Sequence, residues 1–101
     1  MSADTVERIL AVVRALREGE VVSYGDVADD AGLPGRSRLV GHVLASNDDV
    51  ELPWWRVVNA VGRLVPGNER EQAARLRAEG AIVRDGRVRR ARHGRFRRTL
   101  P

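Results

Sequence analysis

A pair of short helical segments joined by a brief connection constrains the fold of this chain most strongly. Ser23 and Asp26 form a capping box, and the helix that they open is predicted to end at Gly32. Pro34 fits the first turn of a next helix, predicted from about Gly35 to Ala45. Two helices joined so closely are typical of a helix-turn-helix, whose second helix contacts nucleic acid.

Helical signals also occur before and after this pair. A first amphipathic helix is predicted to begin at a capping box of Asp4 with Glu7 and to stop at Gly19. A last helix is predicted between a capping signal at Asn68 and a terminating Gly80. The chain is therefore expected to be rich in α-helix.

Two segments have the character of short strands. Pro53–Val58 is predicted to be a strand that pairs back with Arg63–Val65 as a hairpin. Ala81–Val83 and Arg87–Val88 flank Asp85-Gly86, which is a strong two-residue hairpin signal. The predicted fold is an α-rich α/β domain that resembles a winged helix-turn-helix.

The charge of the chain favours nucleic acid as its partner. The formal net charge is +4, and all 18 Lys+Arg positions are arginine. A GC-rich genome that encodes arginine in place of lysine is an alternative explanation. The 101 residues contain no stretch that resembles a linker, so one domain, 1–101, is expected. Its basic tail, 84–101, either follows DNA phosphates or is a solvated, partly disordered end.

The absence of cysteine excludes whole classes of site. Disulfides, thiolate metal ligands and thiol nucleophiles all need that residue. The two histidines, His42 and His93, have no clustered carboxylate nearby in sequence, so neither a metal nor a cofactor is expected. No apolar run approaches the length of a bilayer span, and the N-terminus lacks a secretory pattern. A cytoplasmic, nucleoid-associated monomer that does not bind membrane is expected.

Four blocks of the sequence carry a family resemblance: Val21–Gly25, Arg38–Gly41, Pro53–Asn59 and Ala78–Gly80. In the same order, they resemble the C-terminal domain of the O6-alkylguanine-DNA alkyltransferases. In that family a Pro-Cys-His-Arg-Val motif supplies the cysteine that accepts the alkyl group, activated by the adjacent histidine and a downstream glutamate.

The chain departs from the family at the reactive residues. Trp54 stands where the cysteine belongs and Trp55 where the histidine belongs. Because an indole is neither a nucleophile nor a base, alkyl transfer is chemically excluded, and Glu79, aligned with the glutamate, keeps only a structural role. The chain thus resembles the alkyltransferase-like proteins. The resemblance implies non-enzymatic recognition of O6-alkylguanine in double-stranded DNA by nucleotide flipping, which marks the lesion for nucleotide-excision-repair proteins.

The resemblance also implies roles for residues around the predicted recognition helix. Arg38 matches the arginine finger that fills the space left by the flipped nucleotide, although spacing alone favours a solvated surface arginine. Tyr24 matches the tyrosine beside the 3′ phosphate of the target, and its other interpretation is a half-buried anchor of the second helix. Gly41 and His42 share the exposed face with Arg38. The small Gly41 lets the helix lie close to DNA, whereas His42 is larger than the residue usual in the family and makes the approach less close, with phosphate as its expected contact.

The Pro-Trp motif is expected to form the pocket for the damaged base. Trp54 is predicted to form an apolar wall, and the carbonyl groups of Trp54 and Val57 to accept hydrogen bonds from the base. Arg56 is expected to brace the motif and to belong to the DNA-binding residues, and Trp55 is expected to be a packed strand residue. Asn47 resembles a hinge that ties the helix to the motif, or is a simple helix C-cap. A winged-helix regulator in which Arg38 and His42 read undamaged sequence is the alternative function.

Overall fold

Four helices and five short strands form residues 2–98, the part of the chain that this computed structural model describes. Met1 and residues 99–101, which belong to the predicted domain and its tail, lie outside the described residues. None of the helices in the described range has the length and apolar character needed to cross a membrane. The helices are α1 (Ala3–Arg14), α2 (Tyr24–Asp30), α3 (Ser37–Ser46) and α4 (Glu69–Ala78). The strands are β1 (Glu20–Ser23), β2 (Val57–Val58), β3 (Ile82–Arg84), β4 (Arg87–Arg90) and β5 (His93–Gly94).

The first helix differs from its prediction at both ends. Ser2, not Asp4, is the N-cap, and its hydroxyl oxygen accepts a hydrogen bond from the Thr5 N–H group at 3.1 Å. The helix ends at Arg14, well before Gly19. It stops early because the chain turns back at this point and buries Leu16 in the core, which leaves Gly19 to shape the entry into β1.

The helix-turn-helix is present in α2 and α3. The capping box of Ser23 and Asp26 is confirmed, with hydrogen bonds of 2.9 and 3.1 Å between the side chain of each residue and the N–H group of the other. The prediction for Pro34 is wrong, because α3 begins only at Ser37. A turn with a left-handed Gly35 (φ 79°) separates the proline from the helix.

A three-stranded parallel sheet replaces the hairpin predicted for Pro53–Val58. Trp54–Arg56 forms one turn of 3-10 helix, and only β2 after it is extended. β2 pairs in parallel with β1, with Val57 opposite Val22, and β5 pairs in parallel with the other edge of β1. The prediction fails because the partner of β2 is a distant strand rather than the segment that follows it.

The small sheet lies between two clusters of buried side chains. Successive residues of a strand face opposite sides, so Val22 and Val57 pack against α1, α2 and α3. Val21 and Val58 face the other side and pack against α4 and the β3–β4 hairpin. The sheet therefore fixes the position of the helix-turn-helix relative to α4.

The C-terminal part of the chain is folded against this sheet. The hairpin at Asp85-Gly86 is confirmed, and both residues have positive φ, 54° and 71°, as a type I′ turn requires. Asn68 is the N-cap of α4 by position, but its side chain makes no capping hydrogen bond. Residues 84–98 contain β4 and β5, so this range is ordered, although most of its side chains are exposed. Whether its arginines follow DNA phosphates stays a prediction.

Candidate functional site

An open pocket of about 360 Å³ lies between α3, the 3-10 turn and the start of α4. Its walls are mixed in character, with aromatic, aliphatic and amide side chains and one carboxylate. The residues that line it are Tyr24, Gly41, Leu44, Ala45, Asn47, Trp54, Val65, Asn68 and Glu71. Pockets of this size and composition are typical of sites for small molecules or single bases.

The 3-10 turn places Trp54 in the wall of this pocket. Pro53 precedes the turn, and the Arg56 N–H group bonds to the Pro53 carbonyl at 3.2 Å, which closes the turn. The rings of Trp54 and Trp55 meet edge to face, with centroids 6.3 Å apart and planes at 88°. This arrangement directs the two adjacent indoles to different surroundings, and Trp54 offers its apolar ring to the pocket.

α2 and α3 bring two further predicted residues to the same pocket. Tyr24 is half-buried at the start of α2, and burial raises the pKa of its hydroxyl group. The hydroxyl therefore remains protonated at neutral pH and is able to donate a hydrogen bond. Gly41 lies opposite the ring, and a Cβ atom at this glycine would be 3.8 Å from Tyr24 Cε1. The absence of a side chain at Gly41 leaves the ring accessible from the α3 side.

Arg38 and His42 lie on the exposed face of α3. Within residues 2–98, neither side chain forms an ion pair or a side-chain hydrogen bond. Since α3 also carries Gly41 into the pocket, Arg38 lies one turn of helix from the pocket wall. Both side chains are therefore free to contact a ligand that approaches along α3.

Asn47 is the C-cap of α3, which agrees with the simpler of its two interpretations. Its side-chain oxygen accepts a hydrogen bond from the Asp49 N–H group at 2.9 Å. Within residues 2–98 the Asn47 side chain makes no hydrogen bond to the Pro-Trp motif, so the predicted tie is not formed in this structure. Asn47 still lines the pocket together with Trp54.

Glu79 and Arg56 form a buried ion pair behind the pocket. The side chains of Glu79 and Arg56 are only 9% and 14% exposed, and their closest N–O distance is 2.7 Å. Arg56 binds the carboxylate with both Nε and Nη2 and donates from Nη1 to the Leu16 carbonyl at 2.8 Å. Arg56 thus braces the motif as expected. Its inclusion among the DNA-binding residues is wrong, because the guanidinium group faces the interior.

Trp55 belongs to the same network. Its Nε1 donates to Glu79 at 3.0 Å, and the Gly19 N–H group donates to that carboxylate at 3.1 Å. Burial alone raises the pKa of Glu79, but the hydrogen bonds from Arg56, Gly19 and Trp55 outweigh it, so the pKa lies below its usual value. Glu79 is held as an anion with all its neighbours donating. Its structural role agrees with the sequence prediction.

The structure identifies a residue that the sequence analysis missed. Gln72 is fully buried, and its amide nitrogen donates to the carbonyl groups of Trp55 and Val57 at 3.2 and 3.1 Å. Its oxygen accepts from the Val65 N–H group at 2.7 Å. The Val57 carbonyl therefore faces the interior and not a bound base, which corrects that prediction. A glutamine on the apolar face of α4 was the available signal.

Nothing in the described part of the chain resembles a metal centre, since no three His, Asp or Glu side chains are grouped within residues 2–98. The site contains no thiol, because the chain has no cysteine. What the pocket offers is therefore an aromatic wall, a phenolic hydroxyl group, amide groups and a carboxylate. Such groups bind and orient a planar heterocycle by stacking and hydrogen bonding.

Several known proteins are similar to this chain in sequence. Residues 4–81 match the family of the 6-O-methylguanine DNA methyltransferase DNA-binding domain. The chain is 38% identical over 79 residues to a DNA base-flipping protein of Vibrio parahaemolyticus, covering 75% of this chain and 79% of that protein. It is 43% identical over 81 residues to a DNA base-flipping protein of Escherichia coli, covering 76% of this chain and 62% of that protein.

A solved structure shows the same fold with DNA bound. Schizosaccharomyces pombe Atl1, crystallised with damaged DNA that contains O6-carboxymethylguanine, superposes with a TM-score of 0.76 at 26% identity. The match covers 83% of this chain and 82% of that one. The chain therefore belongs to the 6-O-methylguanine DNA methyltransferase DNA-binding domain family, as an alkyltransferase-like member without the acceptor cysteine.

Proposed function

We propose that this protein recognises O6-alkylguanine in double-stranded DNA by turning the damaged nucleotide into the Trp54 pocket, without transferring the alkyl group. One observation carries the proposal: an indole lines a base-sized pocket beside the second helix of a helix-turn-helix. The names of the two bacterial relatives, and the damaged DNA bound by Atl1, support it.

The energetics of flipping favour a damaged guanine. Removing a base from the stack costs a few kcal/mol, and the cost is smallest for a weakened pair. Alkylation at O6 removes a Watson–Crick donor of guanine, so the pair is weaker before the protein binds. Contacts in the pocket then offset the remaining free-energy cost of flipping, because Trp54 covers the alkyl group with an apolar ring and Tyr24 supplies a hydroxyl donor.

Arg38 is suited to stabilise the flipped state. The side chain is exposed and unpaired within the described residues, so it loses no existing interaction when it enters the duplex. A guanidinium group is able to fill the vacated space and donate hydrogen bonds to the unpaired base opposite. Gly41 on the same face keeps α3 free of bulk next to the pocket, which lets the helix approach DNA closely.

The site supports binding but not alkyl transfer. Transfer in the family needs a cysteine thiol and a histidine to activate it, and this chain has no cysteine and carries Trp55 at the histidine position. Glu79 is the carboxylate aligned with the family's relay, and four hydrogen bonds hold it in the ionised form. We further propose that the monomeric, cytoplasmic protein marks the lesion for nucleotide-excision-repair proteins.

A titration of matched duplexes tests the proposal. Two oligonucleotide duplexes that differ only by O6-methylguanine in place of guanine are titrated with the protein at fixed salt, with fluorescence anisotropy as the readout. We expect binding to the modified duplex to be at least tenfold tighter, a difference of about 1.4 kcal/mol. Equal affinities would reject lesion recognition. Selection of one preferred sequence from random undamaged DNA would instead support the winged-helix regulator.

A further inference from the structure

Within the described residues, Glu71 is the one residue with a charged side chain that lines the Trp54 pocket. The other polar groups in the wall are the Tyr24 hydroxyl group and the amides of Asn47 and Asn68. A protein with a formal net charge of +4 thus presents a negative charge at the surface where the damaged base is proposed to sit.

Arg75 holds this carboxylate in place without filling the pocket. Arg75 Nε lies 3.0 Å from Glu71 Oε2, one helical turn further along α4. The guanidinium group lies over the Trp55 ring, 4.6 Å from its centroid, and Arg75 does not line the pocket. The positive partner therefore lies outside the pocket wall, whereas Glu71 belongs to it.

We propose that Glu71 makes the pocket selective by charge, so that neutral O6-alkyl groups are accepted and adducts that end in a carboxylate are disfavoured. This inference rests on the proposed function, because it concerns which lesions the same pocket takes. A pocket of this volume is only about 9 Å across if roughly spherical, so any charge inside it lies close to Glu71.

The size of the effect follows from Coulomb's law with a discount for solvent. Two like charges about 8 Å apart, in an effective dielectric of about 40, repel by roughly 1 kcal/mol, or about fivefold in affinity. A high dielectric is appropriate because the Glu71 side chain is 56% exposed and Arg75 offsets part of its charge. An adduct such as O6-carboxymethylguanine carries the required negative charge.

A simpler role for Glu71 is to stabilise α4. It lies in the first turn of the helix, where acidic residues favour the helix dipole, and it pairs with Arg75 at i,i+4. Glu69 shares that first turn, but its carboxylate accepts a hydrogen bond from the Gly67 N–H group at 2.9 Å and does not line the pocket. Glu69→Gln therefore removes an equal charge from the same helix end and serves as a matched control.

The test compares three duplexes, carrying guanine, O6-methylguanine or O6-carboxymethylguanine at one position. Wild-type protein is expected to bind the methyl adduct about fivefold more tightly than the carboxymethyl adduct. Glu71→Gln should bring this ratio close to one, while Glu69→Gln should leave it unchanged. Taking the ratio removes the general gain in DNA affinity that follows from deleting any negative charge.

Two results would overturn the inference while lesion recognition stands. One is equal binding of the two adducts by wild-type protein, and the other is a ratio that Glu71→Gln does not move. A wild-type protein that binds the methyl adduct no better than guanine would reject the proposed function, and the inference with it. Urea denaturation of each variant checks folding, and Glu71→Gln should unfold like wild type because its ion pair is exposed.

Discussion

Replacing Glu79 by glutamine tests the network that holds the back of the pocket. The Glu79 carboxylate accepts hydrogen bonds from the Gly19 N–H group at 3.1 Å, Trp55 Nε1 at 3.0 Å, Arg56 Nε at 3.0 Å and Arg56 Nη2 at 2.7 Å. Every one of these partners is a donor. Glutamine keeps the shape and one acceptor oxygen, but it removes the charge and turns an NH2 group toward donors.

The expected loss of stability is large for a chain of this size. Breaking a buried ion pair by removing one charge costs about 3–5 kcal/mol, because the other charge stays buried and unpaired. The Arg56 side chain is 14% exposed, and its hydrogen-bond partner outside Glu79 is the backbone carbonyl of Leu16. Domains of about 100 residues are stable by roughly 5–15 kcal/mol, so Glu79→Gln should remove a substantial part of the free energy of unfolding.

Chemical and thermal denaturation, followed by circular dichroism, measure this loss. A change of about 3 kcal/mol corresponds to a fall in Tm of about 12 °C or more. Glu71→Gln is the matched control, because its ion pair with Arg75 is 56% and 44% exposed and should contribute less than about 0.5 kcal/mol. A Glu79→Gln variant within about 1 kcal/mol of wild type would refute the reasoning.

The loss of stability caused by Glu79→Gln should depend on pH. Burial alone would raise the pKa of Glu79, but the hydrogen bonds from Arg56, Gly19 and Trp55 lower it below its ordinary value of 4.5. A carboxyl group whose pKa is lower in the folded state contributes its full stabilisation above pH 4.5. That contribution is lost as the pH falls through the lowered pKa. The stability difference between wild type and Glu79→Gln should therefore shrink in acid, and a constant difference would contradict this assignment.

The remaining predictions concern the DNA-binding face. Arg38→Ala should weaken binding to an O6-methylguanine duplex by about tenfold, whereas Arg36→Ala, at the exposed N-cap of α3, should change it less than about threefold; equal effects would reject the finger role. Gly41→Ala should stabilise α3 by about 0.5–1 kcal/mol in denaturation yet weaken lesion binding. Unchanged binding would mean that DNA does not approach the Gly41 face of α3. Trp54→Cys should gain no methyl group after incubation with alkylated DNA, because Trp55 leaves no histidine to activate the thiol. A mass increase would show that the histidine is not needed.

Local signals in the sequence predicted the parts of the fold that are themselves local. The capping box of Ser23 and Asp26 and the hairpin at Asp85-Gly86 each depend on a few adjacent residues, and both are confirmed. Pro53–Val58 shows the limit of such signals. Its aromatic and β-branched residues fit a strand equally well throughout, and only the distant β1 decides that Val57 and Val58 alone are extended.

The site residues that belong to the family motifs could be predicted from the sequence, whereas the contribution of α4 could not. The resemblance pointed to Tyr24 and Trp54, and both line one pocket. It did not indicate Gln72, which holds the 3-10 turn through the Trp55 and Val57 carbonyl groups. Those carbonyl groups become available only after the turn has formed and α4 has packed on it. Sequence spacing carries no information about such partners.

Trp55 shows how the motif keeps its geometry without the family's cysteine and histidine. In the alkyltransferases that the motif resembles, a histidine at this position connects the glutamate to the cysteine. Here the indole N–H group donates a hydrogen bond to Glu79 at 3.0 Å, so position 55 is still hydrogen-bonded to the glutamate. An indole has no second nitrogen to accept a proton, so no proton can pass toward position 54. The guanidinium groups of Arg56 and Arg75 lie 5.2 and 4.6 Å from the ring centroid and hold it in place. The residue that ends proton transfer thus also packs against Trp54 in the pocket wall, in agreement with the proposed binding without alkyl transfer.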